Sequence, residues 1–125
     1  MNATVQMPEL TGSPKQVSWA QDIRQRRLDG IDAREPVLRA GTRLGPDQDA
    51  AELAALDAAR TFLAYVTNAK TLINGRDWNT PTFVQLFVIE PIYAHSSPDE
   101  LRPAYKAMKS WRKTANQYHL DNPGW

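Results

Sequence analysis

The chain has 125 residues and a mass of 14.1 kDa, with 15 Lys plus Arg against 14 Asp plus Glu, 42% hydrophobic residues and no Cys. A length of ~125 residues fits one domain, since two cores cut from it would both be too small. The lack of Cys excludes disulfides, thiolate nucleophiles and sulfur-bound zinc. No run reaches the ~18 apolar residues of a membrane span and the first thirty residues carry no signal-type apolar segment, so a cytoplasmic protein is expected. The net charge of +1 is unevenly spread: residues 1–45 net +2, residues 46–99 net −4 and residues 100–125 net +3.

Residues 1–12, punctuated by Pro8 and Gly12, predict a flexible or loosely docked leader. Ser13-Pro14-Lys15-Gln16 then combines a capping hydroxyl, Pro at the first helical position and Gln three residues after the cap, which predicts a helix from about residue 14 to 29, ending near Gly30. Gly30, Pro36, Gly41, Gly45 and Pro46 break up the next segment, leaving room for a short helix at most. Asp47, Asp49 and Glu52 suit a helix N-terminus. From there Leu56, Ala59, Leu63, Val66 and Ile73 recur at helical spacing, with Gly75 placed to end a second helix near Asn74.

Residues 82–93 (TFVQLFVIEPIY) are the doubtful element. Their β-branched and aromatic content suits a strand, but a lone strand would leave its backbone groups unpaired, so a buried helix broken or bent at Pro91 is expected. Ser97-Pro98-Asp99-Glu100 repeats the capping arrangement and opens a last helix to about residue 119, followed by a tail over 120–125. The predicted fold is an all-α bundle of three clear helices plus this element, in one domain spanning 13–119. The four Trp are assigned to packing by default.

Signals for catalysis are sparse. His95 and His119, the two imidazoles, sit in no metal-ligand or nucleophile spacing, and there is no glycine-rich phosphate loop, nucleophile elbow or paired carboxylate arrangement. The expectation is a non-enzyme without metal or cofactor.

Two groups of cations stand out. On the last helix, at ~100° per residue, Arg102, Lys106, Lys109 and Lys113 fall within roughly 60° of one another, while Leu101, Ala104, Met108, Trp111 and Ala115 form a separate apolar face. No acid lies between residues 101 and 120. Such a stripe suits phosphates, and equally suits a solvated helix face. On the first helix, Arg24 and Arg27 project into the apolar sector of Val17, Ala20, Leu28 and Ile31, with Trp19 at its edge. They require carboxylates such as Glu52, Asp57 or Glu90, or else they reach across a rim to a partner, where Arg beside Trp is the composition of an interface hot spot. Lys70 poses the same question beside Leu63 and Val66, where snorkelling of its stem is the plain answer.

The stretch Leu10–Arg24, containing Gly12-Ser13-Pro14-Lys15-Gln16-Val17-Ser18-Trp19-Ala20-Gln21-Asp22-Ile23-Arg24, and the later Ala69-Lys70-Thr71-Leu72-Ile73-Asn74-Gly75-Arg76 together resemble uncharacterised proteins of phages and integrated mobile elements. The family pattern is Gly-Ser-x-Lys-Gln-x-x-Trp-Ala-x-x-Ile-Arg followed by Ala-Lys-x-x-Ile-x-x-Arg; where it tends to carry an aromatic pair after the Lys, this chain has Thr71 and Leu72. The resemblance implies no activity. It raises the expectation of a small inhibitor of host defence machinery, of the anti-CRISPR kind. The leading expectation is therefore a non-catalytic interaction protein docking on a host protein or nucleoprotein complex through Trp19, Arg24, Arg27, Lys70 and Arg76. The alternative is a nucleic-acid-binding accessory protein using Arg102, Lys106, Lys109 and Lys113.

Overall fold

A computed structural model describes residues 7–95, 99 and 102–118. They are mostly helical and contain no β-strand, so the 82–93 element is helix, buried or half-buried from Thr82 to Ile89 and exposed at Glu90 and Pro91. In chain order the elements are α1 (Pro14–Ala40), α2 (Pro46–Leu63), α3 (Ala69–Asn74), α4 (Thr80–Phe83), a π-helical segment (Val84–Ile89), α5 (Glu90–His95) and α6 (Arg102–Tyr118). With α4, the π segment and α5 running on as one, four long helical runs and the short α3 stand where three helices and the 82–93 element were expected.

The start of α1 follows its capping box: Ser13 Oγ accepts from Gln16 N at 3.2 Å and Gln16 Oε1 accepts from Ser13 N at 3.1 Å. Its end does not follow the local signals, because the helix continues through Gly30 and Pro36 to Ala40. An interior proline costs ~3 kcal/mol. Against that, Ile31 and Leu38 are almost fully buried, each burial contributing about 1.5–3 kcal/mol, and ion pairs tie this half of α1 to α2. Arg34 Nε meets Glu52 at 2.7 Å, and Arg60 Nη2 bridges Asp32 at 2.8 Å and Glu35 at 3.0 Å. Packing and charge pairing together outweigh the proline. Gly41 and Gly45, at φ 96° and 94°, then make the turn into α2.

The expected second helix is two helices. At the end of α2 the amides of Ala64, Tyr65 and Val66 bond three residues back, and Thr67 O accepts from Thr11 N at 2.8 Å while Ala69 N donates to Thr11 O at 2.9 Å. This isolated parallel bridge between Thr11 and Asn68 takes up backbone groups that a continuous helix would have needed. Asn68 then caps α3 through its side chain. Residues 7–12 of the leader are consequently docked, with Leu10 buried; residues 1–6 and the 120–125 tail lie outside the described residues.

Pro91 does not break its helix. The π segment precedes it, and Glu90 N bonds back to Gln85 O, five residues away. Wider turns there accommodate a ring that would crowd the carbonyl four residues earlier in a regular α-helix. The core forms around α2, which packs against α1, α6 and the π segment. Leu56, Phe62 and Leu63 of α2 meet Ile31, Leu72, Phe83, Ile89 and Met108 in one cluster.

Candidate functional site

The corner where α1 meets the turn after α3 brings several of the predicted residues together. Arg27 is buried and organises it: Nη2 donates to Gly75 O and to Trp78 O, both at 2.9 Å, and Nη1 donates to Thr80 Oγ1 at 3.1 Å. Its guanidinium carbon lies 4.3 Å from the centre of the Phe83 ring. Burial, with Arg26 beside it, pulls its pKa down to about 10, so it remains charged at neutral pH. Gly75 must be small, because a Cβ there would come within 2.4 Å of Phe83 Cδ1. The 75–78 turn is thus pinned on one side by Arg27 and on the other by Phe83.

What this turn presents outward is Arg76, Asp77 and Trp78, all three exposed. Arg76 lies with its guanidinium carbon 5.1 Å from the centre of the Trp19 ring, and its Nη1 donates to Ile73 O at 2.7 Å. Trp19 is 48% exposed and Trp78 is 50% exposed. On α1, Lys15, Asp22 and Arg26 are exposed at helical spacing from Trp19, and Lys70 is exposed on the neighbouring α3. Around the half-exposed Trp19 and Trp78 the surface carries Lys15, Arg26, Lys70 and Arg76 together with Asp22 and Asp77.

Two of the predicted partner-binding residues are not on this surface. Arg24 is buried and donates to Pro8 O at 2.9 Å, holding the leader against α1; burial lowers its pKa. Arg27 is turned inward as described. Neither uses the carboxylates expected for it: Glu52 is held by Arg34, and Asp57 by Arg60 at 2.9 Å. Backbone carbonyls serve instead. Lys70 also changes setting, since it is an exposed residue of the short α3 rather than part of an apolar side of α2. Trp78, assigned to packing on sequence grounds, joins the surface, whereas Trp111 is buried as expected. The available signal for Trp78 was its setting, Gly75-Arg76-Asp77-Trp78-Asn79, in which every neighbour is polar or glycine.

The second group of cations keeps its expected arrangement. Arg102, Lys106, Lys109 and Lys113 are all exposed on α6. Arg102 pairs with Asp99 at 2.9 Å; among the described residues no carboxylate lies within ion-pair distance of the three lysines. Met108 and Trp111, on the other side of the helix, are buried.

Elsewhere an open groove of about 560 Å³ between the end of α1 and the start of α2 is lined by Leu38, Arg39, Thr42, Asp49 and Leu53. Its polar groups bond within the protein, Arg39 to Glu35 and both Thr42 N and Thr42 Oγ1 to Asp49. Among the described residues no group of three or more His, Asp or Glu is placed to hold a metal ion, and no helix is long and apolar enough to cross a membrane. His95 closes α5, and His119 lies outside the described residues. Comparison with protein-family models, with curated proteins and with solved structures finds no match to this chain.

Proposed function

We propose that this chain is a non-catalytic interaction protein whose Trp19–Arg76–Trp78 corner docks on a host protein or nucleoprotein complex. The observation that carries the reading is the exposed stack of Arg76 on Trp19. Half-exposed tryptophans flanked by arginine are what interface hot spots are made of, because a large apolar ring and a planar cation both gain when a partner removes water from them. The corner is also rigid: Arg27 and Phe83 fix the turn that carries Arg76 and Trp78, so little ordering entropy remains to oppose association.

The resemblance of the Gly12–Arg24 and Ala69–Arg76 stretches to phage and mobile-element proteins extends the proposal to an anti-defence inhibitor of the anti-CRISPR type, acting in the cytoplasm of its host. Trp19 and Arg76 are both positions of the shared pattern.

The test uses the tagged full-length chain against Trp19→Ala/Arg76→Ala, with circular dichroism verifying that both are folded. The wild type is expected to recover one defined complex from host lysate at stoichiometric yield, and the double variant to lose it. Retention of the same complex by the folded double variant refutes the assignment of this surface, and recovery of chaperones alone refutes the docking function.

A further inference from the structure

We propose that the exposed face of α6 binds the phosphate backbone of a double-stranded nucleic acid, at a surface separate from the Trp19–Arg76–Trp78 corner. Arg102, Lys106, Lys109 and Lys113 follow one another at intervals of four, three and four residues. With a rise of ~1.5 Å per residue the row is about 16 Å long and keeps to a sector of roughly 60°. A rigid line of four cations on one helix matches a polyanion that carries one charge per ~1.7 Å of its axis. No acidic residue occurs anywhere in Arg102–Tyr118 to oppose it. Among the described residues the one carboxylate paired with the row is Asp99 against Arg102, and both partners are well exposed, at 87% and 63%, so a phosphate can replace it at small cost.

Other polyanionic surfaces fit less well. A membrane-binding amphipathic helix inserts its apolar face among lipids, but the apolar face of α6 is used up in the core, where Met108 is 0% and Trp111 2% exposed. Single strands are held by aromatic side chains on which bases stack. Here Trp111 is buried and Tyr105 half-buried, and the half-exposed aromatics Trp19, Tyr65 and Trp78 belong to other parts of the chain. Among the described side chains of α6 the cations lie in a line and no aromatic ring is exposed as a stacking platform, and that is the complement of a duplex backbone read without regard to sequence.

The proposal does not depend on the docking function, because the row and the corner share no residue and α2 packs against both of the helices, α1 and α6, that carry them. The experiment is fluorescence anisotropy of the full chain with a labelled mixed-sequence DNA duplex, a single strand of the same length, and phosphatidylserine vesicles as competitor. With three to four phosphates engaged, the logarithm of the association constant should fall against the logarithm of salt with a slope between about −2.7 and −3.6, a loss of roughly 40- to 150-fold from 50 to 200 mM. Lys106→Glu/Lys109→Glu/Lys113→Glu should abolish binding while leaving the helical spectrum unchanged, and should leave the Trp19-dependent capture of a partner intact. Trp19→Ala/Arg76→Ala should bind the duplex as the wild type does. No duplex binding at 50 mM salt, a slope near zero, a charge-reversed variant that folds and still binds, or preference for the single strand or the vesicles would each overturn the proposal. Should the triple variant not fold, Lys106→Gln and Lys113→Gln singly carry the test, each expected to reduce the salt slope by about 1.

Discussion

Arg27→Met tests the claim that a buried guanidinium builds the docking corner. The substitution keeps an unbranched apolar stem but removes the donors to Gly75 O, Trp78 O and Thr80 Oγ1, together with the cation over Phe83. A hydrogen bond from a charged donor contributes about 1.5–3 kcal/mol, and the cation–π contact adds about 1–2 kcal/mol when desolvated. These do not simply add. Gly75 O keeps Trp78 N as a donor at 3.1 Å, and Trp78 is half-exposed, which allows water to its backbone; Thr80 is fully buried. Relief of the burial cost borne by the guanidinium offsets a further part. The expected net loss is about 3 kcal/mol, a large fraction of the roughly 6–19 kcal/mol typical of a chain this long. Urea unfolding followed by circular dichroism measures it, with exposed Arg26→Ala on the same helix as a control expected to stay within about 0.5 kcal/mol. Arg27→Lys should recover less than half of the loss, because one ammonium cannot reproduce the planar fork. Acrylamide quenching of tryptophan fluorescence should also rise as the 75–78 turn loosens. A loss below about 1 kcal/mol for Arg27→Met, with quenching unchanged, would refute the view that Arg27 holds this corner together.

Other perturbations probe the remaining joints. Gly75→Ala places a methyl group 2.4 Å from Phe83 Cδ1 and should cost about 1–3 kcal/mol by overpacking, seen as a thermal midpoint lowered by several degrees. Arg60→Met removes one counter-charge from each of Asp32, Glu35 and Asp57; because Asp32 and Asp57 are exposed and Glu35 keeps Arg39 at 3.2 Å, denaturant titration should register only about 1–3 kcal/mol. Acid should weaken the α1–α2 joint. Burial pushes the Glu35 carboxyl up, but hydrogen bonds from Arg60 and Arg39 more than reverse this, and hydrogen bonds from the Thr42 side chain and backbone lower Asp49. Both folded-state pKa values therefore lie below the unfolded ones, so this stabilisation is fully present above the ordinary carboxylate range and is lost as pH falls through the lowered values. Urea midpoints compared at pH 6, 4 and 3 should fall less steeply for Glu35→Gln/Asp49→Asn than for the wild type.

The parts of this fold visible in the sequence are those decided by a few adjacent residues. Ser13 with Gln16 set the start of α1 through bonds spanning three residues. The extension of α1 past Gly30 and Pro36 was hidden because its cause is distant: Arg60 reaching Asp32 and Glu35, and Arg34 reaching Glu52. The division of α2 from α3 was hidden for the same reason, since the group that interrupts the helix is Thr11, bonded to Thr67 across 56 positions. At the site, periodicity revealed that Arg24 and Arg27 face inward but not what receives them. A carboxylate partner can be guessed from residue type, whereas the carbonyls of Pro8, Gly75 and Trp78 are groups every residue carries.

Burial sorts the cations of this protein by chemistry, and the sorting bears on both proposed surfaces. The buried cations are Arg24, Arg27 and Arg60, as expected if a weakly hydrated guanidinium with several donors enters the interior more readily than an ammonium. Lys15, Lys70, Lys106, Lys109 and Lys113 are exposed. Of the acids that give residues 46–99 their net charge of −4, Asp49 bonds Thr42, Glu52 is tied to Arg34 and Asp57 to Arg60, where α1 meets α2. These three charges are spent on joining helices and are not free to neutralise α6. A chain of net charge +1 can thus carry a row of lysines that no described carboxylate pairs with, because the balance is struck locally and not over the whole surface. Reversing Lys106, Lys109 and Lys113 should change what the protein attracts without changing how it folds, while replacing Arg60 or Arg27 should do the opposite.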